Sequence, residues 1–214
     1  HAMLRLRLAQ TLLEDARYRA EAIRILRRLV RGWCKPETLS SLGDAHWRAG
    51  EYPRAVELYR FASTLSEADE DHAQAYFRAA RMVRGAETAL AYLRQRIRRL
   101  GPLSAAPAMT LFECLEELDR ATEAMTVLDE ALAAHPEDGA LLLFAARNAV
   151  EIKRADEFLA RARGRSRELD WLKVAARIHR QRGELTEALQ RWEQVAAAEP
   201  LDLGAQRAIA SLKH

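Results

Sequence analysis

Histidine and cysteine are among the residue types in this chain that could bind a metal ion or act as nucleophiles. The two cysteines, Cys34 and Cys114, lie far apart and have no metal-ligand spacing. The sequence also lacks H-E-x-x-H, C-x-x-C and G-x-S-x-G motifs, and it has no glycine-rich phosphate loop. We therefore expect no metal site, no cofactor and no nucleophilic catalysis in this chain.

Pairs of carboxylates could instead perform acid and base catalysis. Glu116 is followed directly by Glu117, and Asp129 by Glu130. Adjacent residues on a helix face different directions, so neither pair can act on one bond by itself. The sequence thus indicates that the chain is not an enzyme.

Charged side chains are clustered along the chain, although the net charge is only +3. Residues 78–99 hold seven arginines and one glutamate, and residues 113–138 hold nine acids and one arginine. Residues 147–182 are basic again, with eleven Lys or Arg and five acids. Nucleic acid is an alternative partner, because arginines in the basic segments could neutralise its phosphates. These arginines are Arg94, Arg96, Arg98, Arg99, Arg161, Arg163, Arg165 and Arg167. We do not favour it, because an aromatic stacking surface is missing and the acidic segment would interrupt a backbone path.

The elements that position these residues are predicted by a repeat. Alanines on apolar helical stripes recur at intervals of 33, 34, 35, 31 and 33 residues, namely Ala22, Ala55, Ala89, Ala124, Ala155 and Ala188. A period near 34 is typical of stacked two-helix units, and no alternating Val/Ile/Thr run predicts a strand. We expect one continuous stack with no linker, divided into repeats at 3–36, 37–69, 70–104, 105–138, 139–168 and 169–201, with a terminal helix at 202–214.

The pattern within the second repeat identifies the type of unit. This repeat contains Leu39, Leu42-Gly43, His46, Gly50, Tyr52, Ala55, Tyr59 and Ala62. The chain thereby resembles the tetratricopeptide repeat family. The resemblance implies an all-α, right-handed superhelical solenoid of antiparallel helix pairs. His46 and His179 occupy the position where the family pattern has tyrosine, and Trp192 an aromatic core position, so we expect all three in the core.

Several positions depart from this family pattern. Arg96 stands where a small residue is expected at a helix crossing, and Phe77 and Phe112 stand at another position that is usually small. The interval to Ala155 is short, so we expect about three residues to be missing from the turn near 152–154.

The resemblance also implies where a partner binds, because the first helix of each repeat lines the concave surface in this family. Carried over residue by residue, this gives a partner-binding stripe of Asp44, Trp47, Arg48, Arg78, Arg81, Glu113, Arg147, Lys173, Arg177 and Arg180. We expect Trp47 to be the aromatic anchor, with Arg78 and Arg81 beside it for a partly acidic partner. Asp44 replaces an asparagine that grips the C-terminal carboxylate of chaperone tails in one subclass, and this argues against such a partner.

These observations favour a protein-interaction scaffold that docks a peptide or protein segment in the concave groove. One alternative is the repeat-containing part of a bacterial envelope secretion or exopolysaccharide export protein, in the cytoplasm or periplasm, that recruits a modifying enzyme or guides an anionic polymer. Another is the regulatory arm of an enzyme whose catalytic domain lies outside this sequence. We expect no membrane span. Apolar residues Leu201, Leu203, Ile209 and Leu212 predict self-association through the terminal helix.

Overall fold

The computed structural model describes residues 1–213, which form thirteen α-helices and one short 3₁₀ helix, Ala16–Tyr18, with no strand. The all-α fold class expected from the sequence is confirmed. The helices are α1 (Ala2–Leu13), α2 (Arg19–Gly32), α3 (Pro36–Arg48), α4 (Tyr52–Leu65), α5 (Glu70–Met82), α6 (Ala86–Leu100), α7 (Ala106–Glu116), α8 (Ala121–Ala134), α9 (Gly139–Asn148), α10 (Ile152–Ala162), α11 (Glu168–Gln181), α12 (Leu185–Ala198) and α13 (Leu203–Lys213).

Local sequence signals begin and end several of these helices. The carboxylates of Asp69 and Asp138 accept hydrogen bonds from backbone N–H groups at the first turns of α5 and α9. Gly50 and Gly183 have φ angles of 78° and 77°, in the left-handed region that favours glycine. They close α3 and α11, so that the following helix can fold back.

The chain divides into two compact units, and the first contains residues 1–102 and 106–124. Within it, each helix from α1 to α7 packs on its neighbours in sequence, and α1 also contacts α3 while α5 contacts α7. The repeating alanines lie in this core, since Ala22, Ala55 and Ala89 are fully buried. A small side chain at these positions lets the helices approach closely.

The second unit contains residues 103–105 and 125–214, of which the structure describes those up to 213. Here α9 packs on α10, α11 on α12, and α12 on α13, with α9 also contacting α11. Ala155 and Ala188 are buried between these helices, as the repeat pattern predicts. In α13, Leu203 is exposed and Ile209 and Leu212 are partly exposed, so self-association through this helix stays a prediction.

Each predicted repeat corresponds to one pair of helices. The first helix of each pair begins within about two residues of the predicted start of the repeat. That both units form one continuous stack stays a prediction. The position of the short turn was wrong, because Ile152 already begins α10 and the turn lies at 149–151. The missing length comes from α9, which has 10 residues, whereas α5, the first helix of the third repeat, has 13.

The family-pattern departures at Phe77, Arg96 and Phe112 are all buried. Arg96 is 1% exposed and donates to both carboxylate oxygens of Glu70, at 2.7 and 2.9 Å. Its guanidinium also donates to the Glu67 carbonyl oxygen at 2.7 Å. A long side chain is therefore accommodated at a crossing because its charge has three acceptors on the preceding segment.

Candidate functional site

Three stripe residues of the first unit lie on α3. The indole of Trp47 is half-buried and packs edge-on against Tyr52, with ring centroids 4.6 Å apart. The Asp44 carboxylate accepts a 2.6 Å hydrogen bond from the Tyr59 hydroxyl, and burial together with this contact raises the pKa of Tyr59. Arg48 donates to the Leu13 carbonyl oxygen at 2.6 Å. Of these residues, Trp47 offers apolar surface, whereas Asp44 and Arg48 also have internal partners.

The arginines expected beside Trp47 have an internal partner as well. Arg78 Nε lies 3.0 Å from Oε1 of Glu117, and Arg81 Nη1 lies 3.1 Å from Oε2 of the same carboxylate. On the same helix, Gln74 donates to Glu113 at 3.0 Å. Both guanidinium groups therefore pair with Glu117, which follows α7. The sequence analysis did not predict this partner.

The second unit contributes Arg147 on α9 and three cations on α11. The Arg147 guanidinium lies 5.0 Å from the centroid of the Phe144 ring. Lys173 forms ion pairs with Asp202 at 2.6 Å and with Glu199 at 3.1 Å, and hydrogen bonds to these two carboxylates raise the pKa of the lysine.

Arg177 and Arg180 lie in α11 and both are exposed. Residues at this spacing share one face of a helix. Neither guanidinium group forms a hydrogen bond or an ion pair with any residue between 1 and 213. These two guanidinium groups are consequently available to a ligand.

Many of the arginines considered for nucleic acid are used within the fold. In the first unit, Arg94 pairs with Glu123 at 3.1 Å, Arg96 is buried, and Arg99 pairs with Glu67. In the second, Arg161 donates to the Pro136 carbonyl oxygen at 2.7 Å and Arg165 pairs with Glu137. This pairing lowers the positive charge offered to a phosphate backbone. That nucleic acid is not the partner stays a prediction.

Solved structures share this arrangement of helix pairs. TTC0263, a thermophilic tetratricopeptide protein of Thermus thermophilus, superimposes with a TM-score of 0.58 at 20% identity, covering 83% of this chain and 98% of that one. The chain has the tetratricopeptide repeat fold. PilW, a type IV pilus biogenesis factor, gives a TM-score of 0.52 at 16% identity over 97% of this chain and 98% of that chain. No protein-family model and no curated protein matches the sequence.

A pair of equivalent side-chain contacts in this tetratricopeptide fold escaped sequence reasoning. His46 Nδ1 lies 2.7 Å from Oε2 of Glu51, and His179 Nδ1 lies 2.5 Å from Oε2 of Glu184. Each pair spans the turn between the two helices of its repeat. The H-x4-E spacing, recurring with a glycine before the glutamate, was the signal that could have found them. His46 is buried as expected, whereas the His179 side chain is partly exposed.

Metal sites and membrane spans are two other features that a helical chain of this kind could carry. Within residues 1–213, His, Cys, Asp and Glu side chains nowhere gather in the groups of three or more that a metal ion needs. None of the helices described has both the length and the hydrophobicity required to cross a lipid bilayer.

Proposed function

We propose that this chain is a protein-interaction scaffold that holds a segment of another protein against the exposed face of its first helices. These are the first helix of each repeat, from α1 to α11. The proposal assigns binding rather than catalysis to the chain. It is supported by the tetratricopeptide fold and by the side chains that these helices leave exposed.

One observation carries the proposal. Arg177 and Arg180 share a face of α11 and lack a partner among the described residues, whereas Arg78 and Arg81 share the Glu117 carboxylate. A guanidinium group can donate two parallel hydrogen bonds to a carboxylate, so two of them one turn apart favour an acidic segment. We accordingly place the acidic part of the partner on α11 in the second unit.

The first unit offers an apolar contact instead. Trp47 and Tyr52 form an aromatic pair, and Tyr52 is 44% exposed. Rigid aromatic side chains give a large contact area at a small cost in conformational entropy, and tryptophan and tyrosine are enriched at binding hot spots. Trp47→Ala should therefore weaken partner binding by about 2 kcal/mol.

A peptide array tests the acidic specificity directly. We would measure binding of the chain to arrayed peptides that differ in their number of Asp and Glu residues. The test variant is Arg177→Ala/Arg180→Ala. The matched control is Arg28→Ala/Arg31→Ala, which removes two exposed arginines at the same spacing from α2, a second helix of its repeat.

Both variants lower the net charge by the same amount, but only the test variant removes the arginines of α11. We therefore expect the control to bind acidic peptides like the wild type and the test variant to lose this binding. Added salt should weaken the arginine-dependent binding through screening. Equal losses in the two variants would show that general charge, and not the α11 face, attracts the peptides. That result would overturn the proposal.

The envelope-export and regulatory-arm alternatives stay predictions. PilW is a type IV pilus biogenesis factor. An identity of 16% shows a common fold and transfers no role to this chain. The complete reading frame of the gene distinguishes these alternatives, since an adjoining catalytic domain or an export segment would be visible in it.

A further inference from the structure

A side-chain-sized recess opens in the second unit beside the shortened fifth repeat. Its volume is about 90 Å³, and its apolar lining comes from α8, α9, the following turn and α10: Met125, Leu128, Leu132, Ala145, Ala149 and Phe158. The recess lies where the helices are short, since α9 and α10 have 10 and 11 residues while α11 and α12 have 14 each.

Two exposed apolar side chains belong to the turn and helix start at this recess. Val150, which lines it, is 92% exposed, and Ile152 beside it is 61% exposed. Their exposed surface adds to the apolar surface that the recess offers to a partner. The shortened repeat thus combines an apolar floor with an apolar rim.

Of the charged residues that line the recess, two form an ion pair with each other and one has no side-chain partner among the described residues. Asp129 and Arg154 both line it and form an ion pair at 3.4 Å, and the Arg154 guanidinium also lies 5.7 Å from the centroid of the Phe158 ring. Glu151 lines the recess too, but its carboxylate has no hydrogen bond or ion pair with the residues that the structure describes. The charge left over at this site is therefore negative.

We propose that this recess binds an aliphatic side chain of a partner protein, with a lysine or arginine next to it in the partner pairing with Glu151. The volume of the recess limits the size of the anchor, and for comparison a closed cavity that binds benzene has a volume of about 150 Å³. We therefore expect a recess of about 90 Å³ to take a leucine or methionine side chain in preference to a phenylalanine ring. The uncompensated carboxylate sets the charge beside the anchor.

This site differs from the basic face of α11 in residues and in the charge that it selects. It goes beyond the proposed scaffold function, since it would be a second recognition site with its own motif. Loss of acidic-peptide binding through Arg177 and Arg180 would leave it intact, and the two proposals can therefore fail separately.

Methyl NMR of the whole chain tests the recess with defined probes. The probes are N-acetyl-Leu-Lys-amide, the acidic control N-acetyl-Leu-Glu-amide and the aromatic control N-acetyl-Phe-Lys-amide. The ε-methyl group of Met125 reports on the recess, and that of Met82, which is exposed on the first unit, reports on non-specific contact. We expect Leu-Lys to shift the Met125 signal saturably and to leave that of Met82 unchanged.

Two variants separate the parts of the proposal. Ala149 lies in the turn and lines the recess, so the larger side chain of Ala149→Leu should fill it and abolish the Met125 shift. Ala197 is exposed on α12, so Ala197→Leu should leave this shift unchanged. Glu151→Gln should remove the preference for Leu-Lys over Leu-Glu, which we expect to be about two- to five-fold for an exposed ion pair.

Each remaining outcome contradicts the proposal. A Met125 signal that does not saturate with Leu-Lys, or that shifts as much with Phe-Lys, means that the recess is not an aliphatic side-chain site. An unaltered shift in Ala149→Leu means that the probe binds elsewhere. A preference that survives in Glu151→Gln removes the basic residue from the motif.

Discussion

The buried ion pair between Arg96 and Glu70 predicts a large and asymmetric response to mutation. Arg96 is 1% exposed and the Glu70 side chain is 21% exposed. Glu70→Ala leaves a buried guanidinium with the Glu67 carbonyl oxygen as its remaining acceptor in the present contacts. Removing one partner of a buried pair costs about 3–5 kcal/mol. Because Glu70 keeps some solvent contact, we expect the lower end, about 3 kcal/mol.

Arg96→Met provides the comparison. It removes the charge and fills similar space, and the Glu70 carboxylate that remains can be hydrated through its exposed part. Replacing both partners of a buried pair with apolar side chains is often close to neutral, whereas removing one leaves the other charge unpaired. Because the unpaired Glu70 carboxylate would keep solvent contact and an unpaired Arg96 guanidinium would not, Arg96→Met should cost less than Glu70→Ala. Arg99→Ala breaks an exposed pair with Glu67 and should cost at most about 1 kcal/mol.

Urea unfolding followed by far-ultraviolet circular dichroism gives the free energies of all three variants. The expected order of destabilisation is Glu70→Ala, then Arg96→Met, then Arg99→Ala. If Glu70→Ala costs no more than Arg99→Ala, the guanidinium of Arg96 is not effectively desolvated. If Arg96→Met is the most costly, packing of the long side chain dominates over its charge.

Three other buried positions give predictions of their own. Burial raises the pKa of the Cys114 thiol to about 12, whereas Cys34 is exposed. One thiol should therefore react with Ellman's reagent at pH 8 in the native protein, and two should react in denaturant. Two reactive thiols in the native protein would contradict the burial of Cys114. Ala188→Leu should lower the free energy of unfolding by about 1–3 kcal/mol through overpacking, and the exposed Ala91→Leu should not, which thermal unfolding of both checks. Gly139→Ala should cost about 3 kcal/mol in urea unfolding because its Cβ would lie 2.2 Å from the Arg165 carbonyl oxygen, and a change within experimental error would mean that the α9 terminus shifts freely.

The sequence predicted those parts of the fold that depend on local side-chain size. Ala22, Ala55, Ala89, Ala124, Ala155 and Ala188 are all buried, and the helix pairs follow their spacing. A small residue at a helix crossing is required by the geometry of one pair, so the signal lies within each repeat. The left-handed conformation of Gly50 and Gly183 is local in the same way.

Side-chain partners were less predictable because they lie on other helices. Arg96 reaches Glu70 on α5, and Arg78 and Arg81 reach Glu117 just after α7. Periodicity indicates which face of a helix a residue occupies, but it does not indicate which acid lies within reach on a neighbouring helix. The sequence therefore identified these arginines as charged face residues and missed their partners.

This difference explains why we propose Arg177 and Arg180 on α11, rather than Arg78 and Arg81 on α5, as the contact with an acidic partner. Where a following segment supplies a carboxylate, as Glu117 does for Arg78 and Arg81, the positive charge is compensated inside the protein. The helix after the α11–α12 pair, α13, contains no acidic residue, and Arg177 and Arg180 have no partner among residues 1–213. A carboxylate already in place competes with any ligand for the same donors, whereas an unpaired guanidinium offers all of its hydrogen bonds. We therefore expect a partner with acidic residues to gain more free energy at α11 than at α5, although both helices carry two arginines at the same spacing.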